Sequence, residues 1–273
     1  MPASFLVLTD FTPAADRALT YADGLATAVG ASLVLLHVRR EGLLDPDAFS
    51  GRIRHMSGGE VAAALAERTA PLRAPASVEV AVGGVAESVQ QAVAQHRPAL
   101  VLLGKPATDT IPDELVVSTS LGLLRATAVP LLVVPLAAPL GPPPARALLA
   151  ADGQPFQLQP SVVEAANQLL TGLAATLTVT YVAEPEESDD CAAALASVEA
   201  SGLSAGLPTV RTHGGRHRRA SAGILQAATD TRAELILLVA RRQSFLGQLF
   251  NSSVSARVVL HSPVPVLLLP ASE

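Results

Sequence analysis

Residues 239–270, VARRQSFLGQLFNSSVSARVVLHSPVPVLLLP, decide the fold of this chain. They read as the end of a buried strand, a polar loop, a helix opening at Asn251-Ser252-Ser253, and a second apolar strand over residues 264–269. Residues 104–135, GKPATDTIPDELVVSTSLGLLRATAVPLLVVP, repeat the layout. Subtracting 135 carries Val239 to Gly104, Ser253 to Ser118, Pro265 to Pro130 and Pro270 to Pro135 without a gap. A duplication of this kind means two copies of one structural unit.

Working outward, each copy extends upstream in the same way. Residues 5–9 form a short apolar strand ending at Asp10, and Thr12-Pro13 opens a helix with an apolar stripe that Gly30 stops. Residues 32–38 are a continuous apolar strand. After an irregular stretch at 39–57 come a helix over 59–72, a strand over 78–82, a helix over 85–96 and a strand over 99–103. A helix over 115–126 and a strand over 130–134 close the first copy. The second runs through strands at 146–151, 176–182, 209–212 and 235–239, with helices between them. Apolar strands alternating with amphipathic helices predict an α/β fold, with an open parallel sheet of five strands in each copy and helices on both faces. The predicted organisation is residues 1–136, a Pro-rich linker at 137–145, and residues 146–273.

The 273 residues are 49% hydrophobic, 16% charged and only 3% aromatic, so both cores must be built from Ala, Val and Leu. The net charge of −5 gives no bias toward nucleic acid or an anionic membrane. Cys191 is the only cysteine, which excludes an internal disulfide and a Cys-based zinc site. Residues 126–145 are uncharged, but Pro130, Pro135, Pro139, Pro142, Pro143 and Pro144 would break a spanning helix. Residues 1–4 lead straight into a strand without a basic, apolar leader, so a soluble cytoplasmic protein is expected.

In parallel sheets of this kind, ligands sit beyond the carboxyl ends of the strands. Each copy puts a carboxylate there, Asp10 and Asp152, and a hydroxyl-rich helix start, Ser118-Thr119-Ser120 and Ser252-Ser253. Carboxylates can accept from a ribose or base, and a helix start can donate N–H groups to phosphate. The same residues also serve as ordinary helix caps.

These segments resemble the universal stress protein family in its tandem form, on residues 6–38 and 235–270. The resemblance implies strand order 3-2-1-4-5 and an intramolecular pseudo-dimer joined along the fifth strands, with further oligomerisation left open. Its ATP-binding members carry Gly-x2-Gly-x9-Gly-(Ser/Thr), with an Asp after the first strand and a Val ending the second. The matching positions are Asp10, Val38, Gly104, Ala107, Val117 and Ser118, then Asp152, Val182, Val239, Arg242, Ser252 and Ser253. One glycine of three survives in the first copy and none in the second, so the ATP cradle is degraded. The implied role is a stress-response binding or signalling protein for a nucleotide, another anionic molecule or a protein partner. The alternatives are a weak nucleotide hydrolase, with Asp10 and Asp109 as the nearby acids, and a scaffold without a ligand.

The basic run at 211–219, RTHGGRHRR, follows the third strand of the second copy. With Arg241 and Arg242 it is a candidate anion site that replaces the lost glycines by charge. His213 and His217 are four apart, but Gly214-Gly215 argues against a helix that would bring them together on a metal. No nucleophile elbow, P-loop or dinucleotide fingerprint is present, and no catalytic residue is assigned.

Overall fold

The computed structural model describes residues 3–39, 56–107, 113–186, 190–241 and 253–272. The first half contains β1 (Ser4–Thr9), α1 (Pro13–Val29), β2 (Ser32–Arg39), α2 (Gly58–Thr69), β3 (Ala76–Val82), α3 (Val85–His96), β4 (Leu100–Lys105), α4 (Asp113–Thr127) and β5 (Leu131–Pro135). The second contains β6 (Arg146–Ala150), α5 (Pro160–Gly172), β7 (Thr176–Ala183), α6 (Cys191–Ser201), β8 (Val210–Arg216), α7 (Ala220–Asp230), β9 (Leu235–Ala240), α8 (Val254–His261) and β10 (Val266–Pro270). Local chemistry accounts for the clearest boundaries. Thr12 caps α1 by accepting from Ala15 N, Pro13 occupies the first helical position, and Gly30 ends the helix at φ 70°.

All ten strands form one sheet, in the order β3-β2-β1-β4-β5-β10-β9-β6-β7-β8. Each half therefore has the order 3-2-1-4-5 with parallel neighbours. The halves join where β5 and β10 run antiparallel, pairing Val133 with Val266, Leu132 with Leu267 and Leu131 with Leu268. Alternate residues of these strands point to opposite faces. Leu132, Val134, Leu267 and Leu269 enter the core under α1, α2, α5 and α6. Leu131, Val133, Val266 and Leu268 enter the core under the other helices. Each core runs through both halves, and both are made of Ala, Val, Leu and Ile with a single Phe.

Two elements depart from their periodicity. The third strand of the second half, expected at 209–212, continues as β8 to Arg216, pairing Val182 with Gly215 and Ala183 with Arg216. Gly214-Gly215 reads as a breaker, but on an edge strand the backbone ladder alone sustains the pairing. The fourth helix of the first half begins at Asp113, so Ser118 lies in its second turn and not at its open end.

The connection between the halves is exposed at residues 139–143, with Leu140 52% accessible. Its first part is pinned: Ala138 is buried, and Arg17 donates to its carbonyl at 3.1 Å. Because the sheet and both cores cross the junction, a single proteolytic cut within 139–143 should leave two fragments that co-elute as one particle in size-exclusion chromatography. Separation under native conditions would contradict a shared core.

Candidate functional site

At the carboxyl edge of the first half, Asp10 is exposed and bends back on its own turn. Its Oδ1 accepts from Thr12 N at 3.1 Å and Thr12 Oγ1 at 2.6 Å. Among the described residues no cation pairs with it. Phe11, next in the chain, takes the left-handed conformation at φ 63°, which costs a residue with a Cβ roughly 1–2 kcal/mol. Its ring stacks on His37 at 4.3 Å, and the Arg68 guanidinium lies 4.9 Å from the ring centre. Arg68 is in turn fixed by two bonds to Asp16, 2.6 and 3.1 Å long. His37 Nδ1 lies 2.9 Å from Thr9 O. A carbonyl only accepts, so Nδ1 carries the proton and Nε2 of the neutral ring is left as an acceptor. Arg39, the last residue of β2, is half-buried and has no side-chain partner among the described residues.

The retained glycine has a packing role. A Cβ on Gly104 would sit 2.1 Å from Ala14 O and 2.7 Å from Ala15 N. The first turn of α1 thus lies directly on the end of β4, and only glycine permits that approach. In the second half the link from β6 to its helix is residues 151–159, against 10–12 in the first. That longer loop is tied to the chain end by a bridge between Leu158 and Ala271 and by Ser272 N donating to Gln157 O at 2.8 Å. Helix α5 does not run along β9 as α1 runs along β4, which leaves room for Val239. Lys105 follows Gly104 and is buried at 5% exposure, its Nζ donating to the Leu260 carbonyl near the end of α8. A cation there faces the negative end of the helix dipole.

The second-half edge is closed upon itself. Arg241 donates to Asp152 Oδ1 at 2.9 Å and to Gln154 O at 3.0 Å, while Asp152 Oδ1 also accepts from Gln154 N. Two residues expected to face a ligand are therefore spent on each other. The basic run does not join them: β6 and β7 separate the ends of β8 and β9, a span of three strand spacings, about 14 Å. The strand order therefore sets the basic run three strands away from Arg241, with Arg241 committed to Asp152. Val38 and Val182 pack against the core of the α3 and α7 face, and a Cβ on Gly223 would meet Val182 Cγ1 at 2.4 Å, so α7 starts hard against it.

The hydroxyls differ between the halves. Ser253 caps α8, its Oγ accepting from Ala256 N at 3.1 Å. Ser118, in the second turn of α4, has its N–H within the helical ladder and not free for a phosphate, because only the first four N–H groups of a helix are orphaned. Arg242, Ser252 and Asp109 lie outside the described residues. His213 Nδ1 is 3.3 Å from Thr180 Oγ1, whereas His217 Nδ1 accepts from Arg219 N, so the two rings do not converge. No group of three potential metal ligands occurs among the described residues.

Comparison with known proteins agrees with this architecture. The model of the universal stress protein family matches residues 1–135 and again 145–270. The chain belongs to the universal stress protein family. Among solved structures, a universal stress protein from Archaeoglobus fulgidus DSM 4304 superposes with a TM-score of 0.70 at 21% identity, covering 98% of each chain. A putative universal stress protein from Pseudomonas aeruginosa UCBPP-PA14 gives a TM-score of 0.57 at 16% identity, over 99% of this chain and 94% of that one. A search among curated proteins returns no match. In this family member the edge residues missed by pattern alone are Phe11, Arg39 and Lys105, while His37 reads from the sequence as the structural end of a strand. Phe11 and Arg39 sit next to Asp10 and Val38, where a search widened by one turn would have found them. Lys105 reads as an ordinary exposed lysine.

The structural role of Gly104 predicts that Gly104→Ala destabilises the protein by about 1–3 kcal/mol or more in a denaturant titration. Arg241 and Asp152 are 34% and 62% exposed, so Arg241→Ala should cost under about 1 kcal/mol in the same assay.

Proposed function

We propose that the chain is a stress-response binding protein without a committed catalytic apparatus, and that it takes a nucleotide or similar anionic molecule at the carboxyl edge of its first half. The observation that carries this reading is the contrast between the two edge carboxylates. Among the described residues Asp10 is exposed and engaged only by Thr12, whereas Asp152 is occupied by Arg241. A free carboxylate can accept from ribose hydroxyls or a base amine. Arg39, at the end of the neighbouring strand, supplies a cation for the phosphate that the missing glycines no longer cradle. Gly104 and Ser118 contribute position and not N–H donors, and Val38 lies on the opposite face of β2 from His37. The acceptor at His37 Nε2 and the ring of Phe11 add a polar atom and a flat apolar surface to the same edge.

Titration calorimetry with AMP and ATP tests the proposal. Hydrogen bonds to charged groups contribute about 1.5–3 kcal/mol, so Asp10→Ala and Arg39→Ala should each weaken binding by roughly 10- to 100-fold. Asp152→Ala should leave it unchanged. Absence of binding by the unmodified protein, or an equal loss in Asp152→Ala, would reject the first-half edge as the ligand site.

A further inference from the structure

The two-fold relation between the halves produces two clefts at the amino ends of the strands, remote from the carboxyl edges. Each lies where the first helix of one half crosses the junction and meets the turns before the fourth and fifth strands of the other. The equivalence of α1 and α5 rests on their hydrogen bonds. Asp23 holds the loop after α2 by accepting from Arg73 N and Ala74 N, and Asn167 holds the turn after α6 by donating to Gly202 O. Ala31 N bonds to Ala26 O as Ala175 N bonds to Leu170 O, and Gly30 and Ala174 are both left-handed. Two residues before Asp23 stands Tyr21, and two before Asn167 stands Ala165.

This exchange decides the fate of each cleft. By this equivalence Tyr21 belongs to one of them, and its hydroxyl is buried without a hydrogen-bond partner among the described residues. Burial, then the Glu234 carboxylate, pushes that hydroxyl above the ordinary tyrosine range. In the other cleft Ala165 leaves the ring's place empty, and a cavity of about 200 Å³ results. Its floor is apolar: Pro98, Ala99, Val129, Pro130 and Ala165. Ala99 stands at the position that Glu234 holds in the second half, and Glu164 is the carboxylate among the lining residues. Polar groups keep to the rim, where Arg97 is exposed and Gln168 donates to Glu164 at 3.0 Å.

We infer that the cleft over Ala165 is a ligand site for a single-ring aromatic molecule carrying a hydroxyl or carboxylate, seated as Tyr21 is seated in its counterpart. The ring lies on the proline and alanine floor, and its polar substituent turns to Arg97. A cavity of about 150 Å³ suffices for a benzene ring, so the volume is adequate. Arg97 favours an acidic substituent over an alkyl one, and the Glu164 carboxylate that lines the same cleft, held by Gln168, opposes it. This site does not depend on the nucleotide edge proposed above.

Saturation-transfer NMR on the full chain, with phenol and benzoate as probes, tests the assignment. Both should receive saturation at millimolar concentration, and benzoate binding should weaken several-fold in Arg97→Ala. Ala165→Tyr fills the seat and should abolish binding; Ala165→Leu, a smaller filling, serves if the tyrosine variant does not fold. Tyr21→Ala opens the second cleft and should raise the number of phenol sites from one to two. Asp10→Ala should leave aromatic binding unchanged, which separates this site from the carboxyl edge. No saturation transfer to the unmodified protein, or undiminished binding in a folded Ala165 variant, would overturn the inference.

Discussion

The antiparallel pairing of β5 with β10 is the constraint on which the remainder depends. Both strands are apolar on both faces, and β5 is buried at all five positions. A strand of that composition cannot remain a sheet edge, because it would expose unpaired backbone groups beside apolar side chains. Each half supplies the other's missing neighbour, and the two open sheets become one. Fully burying a Leu or Val contributes about 1.5–3 kcal/mol, and several such residues lie on each side of the junction. The outer edges need less protection, and β8 carries exposed arginines and two glycines in a position where few side chains have to pack.

That junction also sets what each half is free to change. Once α1 and α5 cross the two-fold axis, their inner faces touch, and Gly172 has no Cβ because one would lie 2.8 Å from Val29 Cγ1. Away from the axis the repeats have diverged. The first keeps α1 tight on β4 through Gly104; the second lengthens the preceding loop and tolerates Val239. One carboxylate stays open and the other is neutralised by Arg241. Tyr21 of α1, with its hydroxyl buried, has Ala165 of α5 as its counterpart, and Ala165 lines an open cleft. The fold is held in common, and the chemistry lies in positions the fold does not constrain.

The element order and the duplication were legible in the chain because they follow from periodicity and spacing, whereas the strand order was implied only by the family resemblance. Apolar runs between Gly and Pro signals mark strands whatever surrounds them, and an offset that holds from Gly104 to Pro135 needs no coordinates. The extent of β8 was not legible, because Gly214-Gly215 carries no side-chain signal and only the neighbouring β7 keeps the backbone extended. The candidate ligand positions were legible as loci but not as roles. The sequence by itself determined that two α/β repeats exist and that strands one and four of each end at one edge, since these are properties of local pattern. Only the tertiary structure decided that Asp152 meets Arg241, that Gly104 serves α1, that Lys105 reaches Leu260 and that Tyr21 and Ala165 occupy related seats. Those outcomes depend on pairings between residues far apart in the chain, and local propensity carries no record of which partners packing brings together.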